Sequence, residues 1–341
     1  MQDVITIGSI TKDNFLEIDY EIISWPKTPL KRAIVLPFGE KLEVKNIFST
    51  LGGNSANASV TFSRLGFKTA CFGKIGSDSV GQEIKDWLKE EGVDPILALA
   101  KNKKTAQSTL LLNDGERTIL GYHGASNEWK KSDIPWNKLK AKWWYLSLAG
   151  TSSDFFAPLI KFAKKNNIKI AFNPSGYQIK HKRQEILDNL KNIDFLVVNE
   201  GEAADLVGIS FSAEGGPASG WEKEAFKKLD DLMPGIVAVT DGANGVVVSD
   251  GENIYRAGIF KEKLVADRTG AGDAFGSGFT AGLMEFENKF SSEEAIRYAI
   301  ILGTANATSV VEKIGATAGI ILKKDLKQGR FKNLEIKIEK I

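Results

Sequence analysis

Short β-branched runs alternate with amphipathic stretches along most of the chain, and this alternation limits the fold more than any other feature. Near-continuous apolar segments such as Phe195-Leu196-Val197-Val198 have no polar face, so they suit strands covered on both sides, as in a parallel sheet. Strands are predicted over residues 4–7, 69–75, 143–148, 168–173, 195–199, 236–240 and 246–249. Helices are predicted over 54–65, 80–91, 155–166, 201–207, 222–232, 271–287 and 293–311. The order predicts a doubly wound α/β fold, a mostly parallel sheet sandwiched by helices, as a single domain over 1–341.

Two stretches break the rhythm. Residues 14–50 alternate polar and apolar (Phe15-Leu16-Glu17-Ile18-Asp19-Tyr20) with prolines and no helical period. Residues 105–124 place Asn113-Asp114-Gly115 between Leu110-Leu111-Leu112 and Thr118-Ile119-Leu120, a hairpin signal. Both are antiparallel in character and are expected to form a small β lid made of two insertions over one end of the sheet.

Composition removes several classes of function. The single cysteine, Cys71, excludes an intrachain disulfide, and with only His123 and His181 beside it no His/Cys zinc site can be assembled. A metal here should therefore be a hard, oxygen-liganded ion. The formal charge of +2 and the lack of a dense basic block argue against nucleic acid. No apolar run approaches a membrane span, and Met1–Ile7 reads as an early strand, so the expected location is cytoplasmic.

The sharpest chemical signal is Asp267-Arg268-Thr269-Gly270-Ala271-Gly272-Asp273-Ala274-Phe275. Small residues followed by a helical pattern place a tight turn at a helix N-terminus, where exposed N–H groups and the helix dipole attract a phosphate. Phosphoryl transfer needs such an anion site and a base for the attacking hydroxyl, and Asp273 stands where both can act. Asp273 could alternatively be only a helix cap. The glycines at 270, 272 and 276 do not give the dinucleotide spacing, and no Walker A loop occurs. A second run, Gly52-Gly53-Asn54-Ser55-Ala56-Asn57, offers backbone approach and amides suited to sugar hydroxyls, or simply a capped helix start.

Together the two runs resemble the paired signatures of the ribokinase family (PfkB carbohydrate kinases), and the resemblance extends over nearly the whole chain. It implies an ATP-dependent kinase acting on a hydroxyl of a small sugar, with Asp273 as base and Gly270, Ala271 and Gly272 as the anion hole. Gly8-Ser9-Ile10-Thr11-Lys12-Asp13 is similar to the family's first strand, whose closing Asp holds substrate hydroxyls, a role that falls to Asp13 beside Gly53, Asn54 and Asn57. Phe72-Gly73-Lys74-Ile75-Gly76-Ser77-Asp78 and Gly115-Glu116-Arg117-Thr118 resemble a further turn and the lid hairpin. Asn199-Glu200-Gly201-Glu202 resembles the element that organises Mg²⁺, through Asn199 and Glu202. Thr240, Gly242 and Gly245 match the nucleotide turn, and Asn306 matches a position flanking adenine.

Some residues depart from the pattern. Arg268 replaces a small or hydroxyl residue between Asp267 and Thr269, the pair that implies a K⁺ site. Asn54 stands where ribokinases carry Lys, and Leu148-Ala149-Gly150-Thr151 has no acid, so ribose itself is not specified. Tyr122, His123 and Trp129 could form an aromatic wall, which leaves a nucleoside as the alternative substrate. Exposed lid strands are expected to pair in a homodimer.

Overall fold

The computed structural model describes residues 1–28, 31–113, 116–209, 221–327 and 329–341. The chain opens with β1 (Gln2–Gly8), β2 (Thr11–Glu17), β3 (Glu21–Ser24), β4 (Arg32–Val35) and β5 (Asn46–Gly52). Then come α1 (Asn54–Arg64), β6 (Thr69–Gly76), α2 (Ser79–Glu90), β7 (Asp94–Ala100), β8 (Gln107–Asn113) and β9 (Glu116–Tyr122). The middle of the chain forms β10 (Ala141–Ser147), α3 (Phe156–Lys165), β11 (Lys169–Phe172), α4 (Gly176–Asn189), β12 (Phe195–Asn199) and α5 (Glu200–Val207). It ends with α6 (Trp221–Leu232), β13 (Ile236–Thr240), β14 (Val246–Ser249), β15 (Asn253–Ala257), α7 (Ala271–Met284), α8 (Glu293–Val311) and β16 (Ile336–Lys340).

Ten strands form the central sheet, in the order β16-β15-β14-β13-β12-β11-β10-β1-β6-β7. Pairing is parallel from β7 across to β13 and antiparallel from β13 to β16. This is the expected α/β sandwich, because the apolar strands are covered on both faces. One face buries Leu146, Phe156, Phe172 and Leu196; the other buries Phe62, Tyr145, Phe195 and Phe279. On the second face α7 and α8 pack so closely that a Cβ at Gly282 would lie 2.5 Å from the Ala299 Cα. Glycine at that position is what permits the approach.

A separate four-stranded sheet, ordered β5-β2-β8-β9, is the lid. Its strands come from the two predicted insertions, although β2 begins at Thr11. Asp13 therefore belongs to the lid sheet and does not close β1, which ends at Gly8. Residues 21–24 and 32–35 also depart from expectation: as β3 and β4 they make their own two-stranded sheet. The predicted turn residues Asp114 and Gly115 lie outside the described residues. Asp78 ties the lid to the main sheet. Its carboxylate caps α2 through the Gly81 N–H (2.9 Å) and accepts from the Thr105 N–H (2.9 Å) and hydroxyl (2.5 Å).

Four elements have no counterpart in the predicted set: β7, β15, β16 and α4. In α4 a helical period is hard to read because Lys182, at φ −131°, interrupts it. In β16 the exposed alternation Ile336-Lys337-Ile338-Glu339-Lys340 is satisfied by antiparallel pairing with β15.

Candidate active site

Gly8, Ser147, Asn199 and Thr240 end parallel strands at the same edge of the central sheet, with Gly8 beside Ser147 and Asn199 beside Thr240 in register. In open α/β sheets ligands bind beyond this carboxyl edge. Two helices start here with similar devices. The α1 helix is preceded by Gly53 at φ +91° and α7 by Gly270 at φ +79°, both in the region that favours glycine. A Cβ on Gly53 would lie 2.6 Å from the Ser9 carbonyl oxygen, and one on Gly270 would lie 2.5 Å from the Ala316 Cβ. Neither helix is capped by the side chain of its N-cap residue. The Asn54 N–H reaches Ser9 Oγ, and the Ala271 N–H makes a long bond to the Arg268 carbonyl (3.4 Å). The N–H groups between these and the first intrahelical bonds are the ones a ligand can take.

Asp273, in the first turn of α7, meets Asn57, in the first turn of α1. Asn57 Nδ2 donates to Asp273 Oδ2 at 2.9 Å, across 216 positions of sequence. Burial pushes the Asp273 carboxyl up to about 6; the Asn57 donor opposes this, and the negative charge of Asp13 adds to it. Asn57 is itself buried, and its Oδ1 has no protein donor.

Asp13 is buried, and its carboxyl is also raised, first by burial. Hydroxyls of Thr11 and Ser108 counter that, while the charge of Asp267 adds to it. Room for the Asp13 carboxylate comes from Gly52, where a Cβ would sit 2.1 Å from Oδ2. Gly52, the first glycine of the second run, is thus required by the Asp13 carboxylate. Asn54 is half-buried, and its N–H donates to Ser9 Oγ at 3.2 Å.

A cavity of about 250 Å³ lies beside the α7 turn. Thr240, Gly242 and Gly245 line it on one side, and Ala271, Gly272 and Phe275 on the other. The α8 wall consists of Thr304, Ala307, Thr308 and Val311. Asn306 does not line this cavity. It is fully buried, with Nδ2 donating to the Ala274 carbonyl (2.9 Å) and Thr61 Oγ1 (3.2 Å) and Oδ1 accepting from the Ile321 N–H (3.1 Å). Its amide joins α8 to α1 and α7, and the helix turns Thr304, Ala307 and Thr308 toward the cavity instead.

A second cavity, about 190 Å³, is lined by Gly8, Ser9, Thr11, His123, Trp129 and Tyr177, among others. His123 and Trp129 reach it, whereas Tyr122 is half-exposed on the lid and does not. Trp129 is held edge-on to Phe72, with centroids 5.0 Å apart. Tyr177, on the unpredicted α4, lies tilted against the His181 ring with centroids 4.4 Å apart.

Asn199 and Glu202 form a reciprocal capping box on α5, with both N–H to oxygen distances 2.9 Å. The Glu202 carboxyl is raised by burial, countered by the Asn199 N–H, and raised further by the charges of Asp273 and Asp205. Below the α7 turn the buried Tyr145 hydroxyl, also without a protein partner, is pushed up by burial and by Asp273 and Glu202. Among the described residues no three His, Cys, Asp or Glu side chains converge as a metal cluster. Nor is any of their helices long and apolar enough to cross a membrane.

On the other side of the turn, Asp267 is buried, and its Oδ1 accepts from the Thr269 N–H (2.9 Å) and hydroxyl (2.6 Å). Its Oδ2 accepts from the Gly315 N–H at 3.1 Å. Arg117 of β9 brings Nη1 to 3.5 Å from Asp267 Oδ1.

Known proteins share this architecture. The chain is 29% identical over 337 residues to the ribokinase of Haemophilus influenzae, covering 94% of this chain and 96% of that one. It is 28% identical over 305 residues to the ribokinase of Lactococcus lactis, covering 88% and 92%. The solved structure of ribokinase from Giardia lamblia superposes with a TM-score of 0.78 at 21% identity, over 96% of this chain and 99% of that one, and shares its fold. The family model described as pfkB family carbohydrate kinase matches residues 2–323. The chain belongs to that family and is an ATP-dependent carbohydrate kinase.

Proposed function

We propose that Asp273 is the general base that takes the proton of a sugar hydroxyl while the N–H groups of Gly270, Ala271 and Gly272 face the transferred phosphoryl group. The observation that carries this reading is the α7 turn. One short segment holds a carboxyl at about 6 at an uncapped helix start, and it forms a wall of the cavity of about 250 Å³. A base poised near the working pH is mostly ionised at neutrality yet basic enough to accept a proton. The N–H groups of the turn stabilise the charge on the phosphoryl oxygens.

Acceptor hydroxyls rest against Asp13, Gly53, Asn54 and Asn57, whose unpartnered Oδ1 can take a hydroxyl donor. The nucleotide occupies the cavity between the Thr240–Gly245 turn and α8. Asn199 and Glu202 suit Mg²⁺. Glu202 Oε2 takes the cap N–H, while the nearby charge of Asp273 makes a divalent cation favourable. When bound, Mg²⁺ neutralises phosphate charge. The whole chain acts as one catalytic unit whose lid excludes water, because ATP hydrolysis competes with transfer. Edge strands β5 and β9 leave Ile47, Ile119 and Leu120 exposed, which favours a homodimer paired through the lid.

A nucleoside is the second reading, supported by the ring surfaces of His123, Trp129 and Tyr177 in the smaller cavity. A coupled ADP-release screen over pentoses, hexoses, keto acids and nucleosides tests both. Turnover with free sugars supports the first reading and turnover confined to nucleosides the second. No acceptor-dependent ADP release from any of these classes would reject both.

A further inference from the structure

We infer that Arg117, on lid strand β9, is the resident counter-ion of Asp267 at the active-site end of the sheet. As a positioning residue it fastens the lid to the Gly270–Gly272 turn, so that transfer needs no free monovalent cation. The inference rests on the kinase reading of that turn. Three carboxylates share this end of the molecule: Asp13 feels the charge of Asp267, and Asp273 feels that of Asp13. Bound nucleotide adds further negative charge, so a cation is required nearby. Among the described residues, Arg117 is the one side-chain cation within ion-pair distance of any of the three.

The contact is also mechanical. Asp267 immediately precedes the turn, and its Oδ1 holds both the N–H and the hydroxyl of Thr269, next to Gly270. A guanidinium 3.5 Å from that same oxygen braces the segment from the lid side. Gly315, which donates to Oδ2, braces it from behind. The brace comes with the lid strand that carries Arg117. It is lost only when β9 moves away.

The same geometry disagrees with the K⁺ site that the resemblance implies at Asp267 and Thr269. The Thr269 hydroxyl is already turned onto Asp267 at 2.6 Å, and both Asp267 oxygens already accept donors. A loose cation beside Oδ1 would meet the Arg117 charge, and like charges repel.

The test compares wild type, Arg117→Ala and Arg117→Lys in K⁺ and in tetramethylammonium at matched ionic strength. ADP release and melting temperature are read for each. Wild type should show the same kcat and melting temperature in both salts. Arg117→Ala should lose about tenfold in kcat, equivalent to ~1.4 kcal/mol, with a smaller change in KM for ATP. It should regain rate when K⁺ or guanidinium is added, and Arg117→Lys should fall between the two. A wild-type rate that collapses without K⁺, or an Arg117→Ala enzyme as fast as wild type, overturns the inference. Should wild type release no ADP with any acceptor, the kinase reading fails on its own and melting decides. K⁺ should then stabilise Arg117→Ala and leave wild type unmoved; an equal response in both overturns the inference.

Discussion

The starts of α1 and α7 are built alike and used differently. Each follows a glycine at positive φ, lacks a side-chain cap and opens on small residues. The first turn of α1 carries no acid and presents amides, whereas that of α7 carries Asp273. A carboxylate at a helix N-terminus gains about 0.3–1 kcal/mol from the dipole, which should lower its pKa by less than about one unit. The Asp273 carboxyl nevertheless lies near 6, well above the ordinary 3.8, so burial wins over the dipole. The lesson is that α7 places a charge where folding alone would not, while α1 supplies the neutral partner that keeps it in place. The ways to break that contrast differ in size.

The largest effect is expected from Asp273→Asn. Loss of the base should cost about 10²–10⁴-fold in kcat. Stability should move the other way. The folded carboxyl is raised above its unfolded value, so the ionised form destabilises the fold, and this cost grows as pH rises through about 6. At pH above that value the variant should melt at or above the wild-type temperature. A large fall in melting temperature together with lost activity would make Asp273 a structural cap instead.

How much of this was legible in the sequence depends on the distance over which each contact acts. Gly270, Gly272 and Asp273 are neighbours in the chain, so one tight turn displays anion site and acid together. The sheet was legible for a similar reason: a strand buried on both faces is apolar throughout, as Phe195–Val198 is. Contacts between distant segments left no such mark. Nothing near Asn57 signals Asp273, and nothing near Arg117 signals Asp267. Asn306 misled because a helical amide reads the same whether it faces a ligand or, as here, bridges three backbone and side-chain groups in the core. The α4 helix, which brings Tyr177 to the smaller cavity, was hidden by its internal kink.

Intermediate effects should come from the two glycines. Forcing a Cβ into the left-handed region costs about 1–3 kcal/mol, and at both positions the new atom also meets a neighbour closer than 3 Å. Gly270→Ala and Gly53→Ala should therefore lose similar stability. Their kinetics should separate them. The α7 variant should lose chiefly kcat if, as proposed, the N–H groups of its turn face the phosphoryl group. The α1 variant should lose chiefly KM for the acceptor. Indistinguishable kinetic signatures would remove the division of labour between the two helix starts.

The smallest and most diagnostic effect is expected from Asn57→Ala, read as a pH profile. Nδ2 of Asn57 donates to Asp273 and so favours the ionised carboxylate. Removing that donor leaves burial and the charge of Asp13 unopposed, and the Asp273 pKa must rise further above about 6. The base acts as its carboxylate, so the acidic limb of kcat should move to higher pH. The variant should be weakest relative to wild type below about pH 6 and should recover as pH rises and Asp273 ionises again. If Asn57 served only to bind the acceptor, KM would rise by the same factor at every pH and the limb would stay where it is. A shifted limb with a modest change in KM would place the two helix starts in one catalytic unit, with the neutral one setting the proton affinity of the charged one.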